Sequence, residues 1–231
     1  MFRTMTGFAF LLAAAAPAAA AERSYSITDF DRVQVEGPYE VSLATGRSSS
    51  ARASGSAEGL DRVTVEVQGR TLRVRANQSA WGGTPGRPAG PVRIVVTTRD
   101  LVAASVVGSG SLAVDKARGL RIDLSVSGSG RLSIGRAEAD TLVVGLLGAG
   151  HISAAGTAKQ LKATVQGAGD LDAAELRADD ARIQADTAGT VSVTAVRSAT
   201  VKATGSGDVT IGGKPSCTVQ ATGSGRVSCG R

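Results

Sequence analysis

The sequence predicts an all-β protein, a right-handed parallel β-helix-like solenoid with about 18–20 residues per coil. The first observation is a Gly-Ser-Gly or Gly-Ala-Gly turn that recurs, once with Thr in first place, seven times between Val102 and Cys229. The second is the spacing, because the first turn residues follow one another by 20, 20, 19, 20, 18 and 18 positions. The third is a regular apolar pattern beside each turn. The first turn residues are Gly108, Gly128, Gly148, Gly167, Thr187, Gly205 and Gly223.

The apolar pattern has a period of two on both sides of every turn, as in Ile122, Leu124 and Val126 before the second one. This period places the side chains on one face of an extended strand. Two short strands cannot bury that face as a lone hairpin, but parallel stacking of coils about 4.8 Å apart gives a continuous core. Right-handed winding is the rule for parallel connections. Glycine suits the corners because it accepts positive φ, so we expect local distortion at Thr187.

The first third of the chain fits the same template once, around Gly37-Pro38-Tyr39. The other strands expected there are less regular, and residues 77–90 are rich in Gly and Pro and indicate an exposed loop. No helix of consequence is expected; residues 174–181 are the only place where a short helical turn fits. The irregular strands are expected at 63–67, 72–74 and 92–97, with a turn at 68–70.

Residues 1–21 have the pattern of a signal peptide, with Arg3, an apolar stretch from Phe8 to Ala16 and a run of small residues before Glu22. We therefore expect export to the periplasm or the extracellular space, and no membrane-spanning segment in the mature chain. Residues 22–231 then form a single β-solenoid domain. Residues 22–100 are its less regular part, and residues 101–231 are the regular repeat array.

Cys217 and Cys229 are the only two cysteines, and both fall on apolar columns flanking the last turn. In an oxidising compartment we expect them to form a disulfide that fastens the end of the stack. Two separate buried thiols are the alternative. A metal site is not expected, because two sulfurs without nearby His fall short of a zinc site.

The chain carries a formal net charge of +6, which favours anionic partners such as an envelope glycan or lipopolysaccharide. Basic residues scattered for solubility explain the same excess. Nucleic acid is not expected as a partner, because residues 92–231 contain no aromatic side chain on which a base could stack.

Catalysis is not expected, and neither is a cofactor. His151 and Asp170 follow successive corners, but a convex corner without a nucleophile elbow does not form a Ser-His-Asp site. Lys162 and Arg182 share one outward column, and Lys202 lies two residues over on the same face. These three cations leave open an alternative, a glycan-processing β-helix enzyme that acts on an acidic polysaccharide; a solubilising ladder explains them equally.

Several of these motifs resemble one family. The segment from Phe30 to Leu43 with its Gly-Pro-Tyr-Glu-Val centre, the Gly-Arg-Thr-Leu turn at 69–72, the strand at 92–96 and the repeated corners are similar to DUF2807, described as "putative auto-transporter adhesin, head GIN domain". The similarity covers roughly residues 30–229. It implies a right-handed β-helix-like fold and export to the cell envelope, and it supplies no catalytic residue.

Together these observations predict a non-enzymatic, exported β-solenoid of the cell envelope that presents a surface for binding or self-association, in an adhesin-like or structural role. Open sheet edges and solenoid faces are common docking surfaces. The aromatic candidates are equally explained as caps on the first coil. The candidate ligand-binding residues are Trp81, Arg87, Tyr39, Lys162, Arg182 and Lys202.

Overall fold

A computed structural model describes residues 21–77 and 91–230 of the chain. It is nearly all strand and confirms a β-solenoid of about six turns. The expected signal peptide lies outside the described residues, except for Ala21, and so does the expected loop apart from Asn77. No helix in the described part is long and apolar enough to cross a lipid bilayer.

The N-terminal part contains seven strands and one short helix. The strands expected at 63–67, 72–74 and 92–97 are present, with bounds 63–68, 71–76 and 93–98. The elements are β1 (Ala21–Tyr25), β2 (Arg32–Glu36), β3 (Glu40–Thr45), β4 (Ser50–Gly55), α1 (Ala57–Asp61), β5 (Val63–Gln68), β6 (Thr71–Ala76) and β7 (Arg93–Thr98).

The regular part begins with one short strand, continues with five long strands that each follow a whole coil from one glycine corner to the next, and ends in three shorter strands. The strands are β8 (Ala103–Gly108), β9 (Ser111–Gly128), β10 (Arg131–Gly148), β11 (His151–Gly167), β12 (Asp170–Thr187), β13 (Val191–Gly205), β14 (Val209–Gly213), β15 (Ser216–Gly223) and β16 (Val227–Cys229).

The core consists of the predicted apolar columns. Leu132 on β10 pairs in register with Leu112 on β9 and with Ile152 on β11, and all three side chains are buried. The sequence indicated two short strands per coil, whereas the parallel ladder continues through a second corner opposite the glycines. Small buried residues such as Ala117 and Ala137 let the backbone bend there without breaking the ladder, apart from register shifts such as the one between Ile134 and Ala137.

The Gly37 copy is a true coil of the solenoid, because β2 pairs with β8 and β3 pairs with β9, all in parallel. On its other side β6 pairs with β2 and β7 pairs with β3. The coil made by β2 and β3 therefore lies between strands that come much later in the chain. Antiparallel strands close this end, since β5 pairs with β6, β4 with β7 and β1 with β4.

The described residues contain almost no helix, as expected, but the short helical turn suggested at 174–181 was wrong. Residues 174–181 belong to strand β12, where Leu176, Ala178 and Ala181 are buried inward residues of the coil. The one helix of the described chain is α1, where the Ser56 hydroxyl accepts a hydrogen bond from the Gly59 amide and Leu60 is buried. A capped turn needs little propensity when its single large side chain packs on the core.

The corner at Thr187 differs from the others, as expected. The first residue of every other corner is a glycine with positive φ, for example +112° at Gly148, and no non-glycine residue among those described has a positive φ. Thr187 is buried instead, and its hydroxyl accepts a hydrogen bond from the Gly189 amide at 2.9 Å. The hydrogen bond from the Gly189 amide to the Thr187 hydroxyl thereby stabilises this corner without the positive φ that the glycine corners adopt.

The C-terminal end carries the predicted disulfide between Cys217 on β15 and Cys229 on β16. Cys217, Val219 and Ala221 align in register with the inward residues of β13, but they are exposed rather than buried. The expected burial of Cys217 was therefore wrong. The reason is positional: β15 pairs only with β13 and β16 only with β14 among the described strands, so no further coil covers them.

Candidate binding surface

The three cations Lys162, Arg182 and Lys202, which we call the basic ladder, lie near one another on the surface. Lys162 and Arg182 are register partners on β11 and β12, and Lys202 on β13 pairs with Gln184, two residues further along the same face. All three side chains are exposed, and Lys202 borders a shallow depression of about 160 Å³. The structure thus brings these cations to one face, but on a nearly flat surface.

The aromatic candidates have a different outcome. Tyr39 is only 7% exposed, its hydroxyl donates a hydrogen bond to the Arg62 carbonyl at 3.1 Å, and burial raises the pKa of its phenol. The ring is thus part of the packing at the N-terminal end, where a ligand on the surface does not reach it. Trp81 and Arg87 lie outside the described residues.

The outward column at the glycine corner does not form a catalytic arrangement. His151 and Asp170 are register partners, yet the Asp170 carboxylate accepts hydrogen bonds from the Thr190 amide at 2.8 Å and from the Thr190 hydroxyl at 2.7 Å. These bonds, led by the one from the Thr190 amide, lower the pKa of Asp170. The carboxylate is held by the next corner instead of orienting the imidazole.

A groove of about 770 Å³ runs along the second corner, on the side away from the glycines. Its floor consists of the small residues Gly119, Ala139 and Ala158, which are aligned in register on three successive coils. The same column continues with Ala178 and Ala195. Because each coil contributes one step of about 4.8 Å, the groove follows the solenoid axis.

The two walls of this groove, which we call the axial groove, are lined by charged and polar side chains. One wall is the register column Arg118, Glu138, Thr157 and Arg177, and the other contains Leu120, Asp140, Lys159 and Asp179. Three basic and three acidic side chains therefore face the groove, so it presents both donors and acceptors without a strong net charge.

Ion pairs connect the coils along the walls. Arg118 Nε lies 3.3 Å from Glu138 Oε2, and Lys159 Nζ lies 2.8 Å from Asp140 Oδ1. The hydrogen bond to Asp140 raises the pKa of Lys159. Exposed pairs of this kind stabilise a fold little, but they place donors and acceptors side by side along the walls.

The axial groove was not predicted from the sequence, although a signal for it was present. Small residues recur at the second corner with the coil period, but coils of different length shift their numbering. The apolar columns are regular only on either side of the glycine turns, so they predict the glycine corner and not the second one. Only the register of the strands shows that Gly119, Ala139 and Ala158 form one line.

Comparison with known proteins gives a consistent result. Residues 29–215 match the family described as "Putative auto-transporter adhesin, head GIN domain". No curated protein matches the chain at a significant level. Crystal structures that share the fold across nearly the whole of both chains include three from Bacteroides and Parabacteroides species.

The first is a putative adhesin from Bacteroides fragilis, with a TM-score of 0.82, 20% identity, and coverage of 91% of this chain and 96% of the other. The second is a "putative lipid binding protein" from Parabacteroides distasonis, with a TM-score of 0.69, 20% identity, and coverage of 90% of this chain and 96% of the other. The third is a putative adhesin from Parabacteroides merdae, with a TM-score of 0.67, 15% identity, and coverage of 90% of this chain and 95% of the other. At these identities the likeness concerns the fold.

Proposed function

Because the chain belongs to the DUF2807 family, the head GIN domain of putative auto-transporter adhesins, we propose that it is an exported, adhesin-like β-solenoid without enzymatic activity. We propose further that it binds an envelope glycan along the axial groove. The groove is the observation that carries this proposal. It is open, it is continuous over successive coils, and it displays donors and acceptors on strands aligned in register. Such a surface suits an extended polymer whose units repeat along the axis.

The family and the fold neighbours support the adhesin-like role, since the structures from Bacteroides fragilis and Parabacteroides merdae are described as putative adhesins. Export to the periplasm or the cell exterior agrees with that role and with the signal-peptide pattern of residues 1–21. An adhesin needs rigidity more than a closed active site, and a stack of paired coils provides it.

Two lysines of the same coil distinguish the axial groove from the basic ladder. Lys159 lines the groove, whereas Lys162 lies on the neighbouring face, and both are exposed. We expect Lys159→Glu to weaken capture of the polymer about tenfold, or roughly 1.4 kcal/mol, because it places a third carboxylate beside Asp140 and Asp179. Lys162→Glu makes the same change of charge outside the groove and serves as the control.

The measurement is retention of purified lipopolysaccharide and of a polyuronate on the immobilised protein. Loss of retention in Lys162→Glu alone would place binding on the ladder of Lys162, Arg182 and Lys202 and contradict the groove. A parallel assay for shortened polyuronate chains tests the absence of enzymatic activity. Chain cleavage that is lost when the three ladder residues become Ala would establish the glycan-processing alternative.

Self-association is a second proposed role, supported by the uncovered strand β15. Its inward row is exposed, with Val219 42% accessible, and its outer backbone edge has no described partner strand. Such an edge is a template for pairing with another chain. We expect concentration-dependent dimers in sedimentation experiments, and their loss in Val219→Lys. The control is Val107→Lys, because Val107 is 41% exposed on a strand paired on both sides; equal loss in both variants would argue against this edge.

A further inference from the structure

A second concave site lies next to the axial groove, where the irregular part of the chain meets the first regular coils. It has a volume of about 320 Å³, within the range of small-molecule sites. The turn at Thr45 and Gly46 and the segment Arg99–Leu101 form one side. The second corners of β9 and β10 form the other, and Arg118 and Glu138 also belong to the groove. We call it the junction pocket.

The junction pocket has more basic than acidic side chains in its lining. Four cationic side chains line it, from Arg99, Lys116, Arg118 and Arg136, against the two carboxylates of Asp100 and Glu138. Arg118 is paired with Glu138 at 3.3 Å, and Arg99 lies 3.9 Å from Asp29. Within residues 21–77 and 91–230, Lys116 and Arg136 have no carboxylate at ion-pair distance. These two cations therefore have no ion-pair partner among the described residues, although the carboxylates of Asp100 and Asp115 lie in the vicinity.

These two cations are direct neighbours, because Lys116 and Arg136 are register partners on adjacent parallel strands. Like charges at paired positions repel each other and destabilise a sheet. A bound anion between them would remove that repulsion. The arrangement is thus more favourable when it holds a negatively charged group than when it is empty.

The backbone around the cations is held firmly. The Asp115 carboxylate accepts hydrogen bonds from the Thr45 amide at 3.0 Å and from the Lys116 amide at 2.5 Å. The buried Thr45 hydroxyl donates to the Lys116 carbonyl at 3.0 Å, and the Gly46 amide donates to the Arg99 carbonyl at 2.9 Å. The Lys116 ammonium lies beside Gly46, only 3.8 Å from where a Cβ at that position would be. The backbone that carries the two cations is consequently fixed before any ligand binds.

We propose that the junction pocket binds a phosphate monoester, held between Lys116 and Arg136. A phosphate monoester carries a charge of about −1.5 to −2 at neutral pH, which matches two cations without ion-pair partners better than a single carboxylate does. Arg136 offers a planar fork for two oxygens, and Lys116 adds a compact charge. The remaining volume accommodates the sugar or the lipid headgroup that carries the phosphate.

This inference rests on the proposed envelope-binding role, because it names the chemistry at one end of the axial groove. It is tested separately from polymer capture by titrating the purified protein with inorganic phosphate at constant ionic strength, and following the backbone amide signals of residues 45–46, 99–101 and 116–118 by NMR. We expect saturable shifts that chloride does not reproduce. Lys116→Ala with Arg136→Ala should weaken phosphate binding about tenfold or more.

The matched control is Arg131→Ala, because Arg131 is an exposed arginine of the same coil at the opposite, glycine corner. Unsaturated shifts, equal shifts with chloride, or equal weakening by the control would overturn the proposal. Normal polymer capture by the Lys116→Ala/Arg136→Ala protein would show that the axial groove binds the polymer without the junction pocket.

Two further ligands identify the carrier of the phosphate. Tighter binding of glucose 6-phosphate than of inorganic phosphate, with no binding of glucose, supports a phosphorylated sugar. Co-sedimentation with vesicles containing phosphatidic acid, lost in the double variant and kept in Arg131→Ala, supports a lipid headgroup. If neither carrier binds better than the free ion, the pocket is a simple anion site and the assignment to an envelope ligand is wrong.

Discussion

Replacing Gly148 by alanine is expected to lower the free energy of unfolding by about 3 kcal/mol or more, a large loss for the addition of one methyl group. Gly148 has a φ of +112°, a region that L-residues other than glycine enter only with strain. A Cβ at this position would also lie 2.6 Å from the Gly128 carbonyl oxygen of the preceding coil. Both penalties act at once, because the corner is stacked against its neighbour.

The strain at Gly148 has no easy way to relax. The Ala149 amide donates to the same Gly128 carbonyl at 3.0 Å, so moving the corner outward would weaken an inter-coil hydrogen bond. A loss of about 3 kcal/mol is a large part of the 5–15 kcal/mol that usually stabilises a domain. Urea unfolding followed by circular dichroism measures it.

Gly145→Ala is the matched control, three residues earlier in the same coil. An added Cβ there has no atom within 4 Å, and its backbone is not in the positive-φ region. We expect a change within about 0.5 kcal/mol, or a slight stabilisation because alanine restricts the unfolded chain. Equal destabilisation by the two substitutions would show that stacking of the corners is not what demands glycine.

Removing the disulfide is expected to cost about 2–3 kcal/mol, concentrated in the last coil. Cys217 and Cys229 are separated by 12 residues, and the bond joins β15 to β16 at the uncovered end. Without it the two strands keep one paired neighbour each, β13 and β14. Fraying should therefore begin there, since a coil at the end of a stack has contacts on one side only.

Hydrogen exchange of the variant Cys217→Ser/Cys229→Ala should show faster exchange at residues 216–229 and little change at residues 131–147. Adding a reductant to the wild-type protein should reproduce the effect, and adding it to the variant should do nothing. Intact mass with and without reductant provides an independent check. Two free thiols in the unreduced protein would refute the bond.

The repeat explains why so much of the fold could be predicted. Each coil needs the same two features, an inward aliphatic row and a corner with positive φ. The position of one residue therefore predicts the position of its equivalents in the next coils, as for Leu112, Leu132 and Ile152. The N-terminal part lacks that redundancy. Nothing in its spacing shows that β2 and β3 lie between β6 and β8, or that antiparallel strands close the end.

The candidate site was harder to predict than the fold. Lys162 and Arg182 were placed together correctly because they occupy equivalent positions in successive coils. The burial of Tyr39 agrees with its interpretation as a cap on the first coil, which stood beside the binding interpretation because a corner aromatic packs inward or outward depending on what lies over it. The junction pocket joins Gly46, Arg99 and Lys116 from three separate parts of the chain, and no local pattern connects them.

The amino-acid sequence by itself determined the solenoid, its coil length, the inward rows, the glycine corners and the pairing of Cys217 with Cys229. Those features follow from local demands on side-chain direction and backbone conformation, which repeat along the chain. The tertiary structure alone decided where the axial groove and the junction pocket lie and which cations are left without partners. These features depend on register and on contacts between distant segments, so they exist only once the coils are stacked.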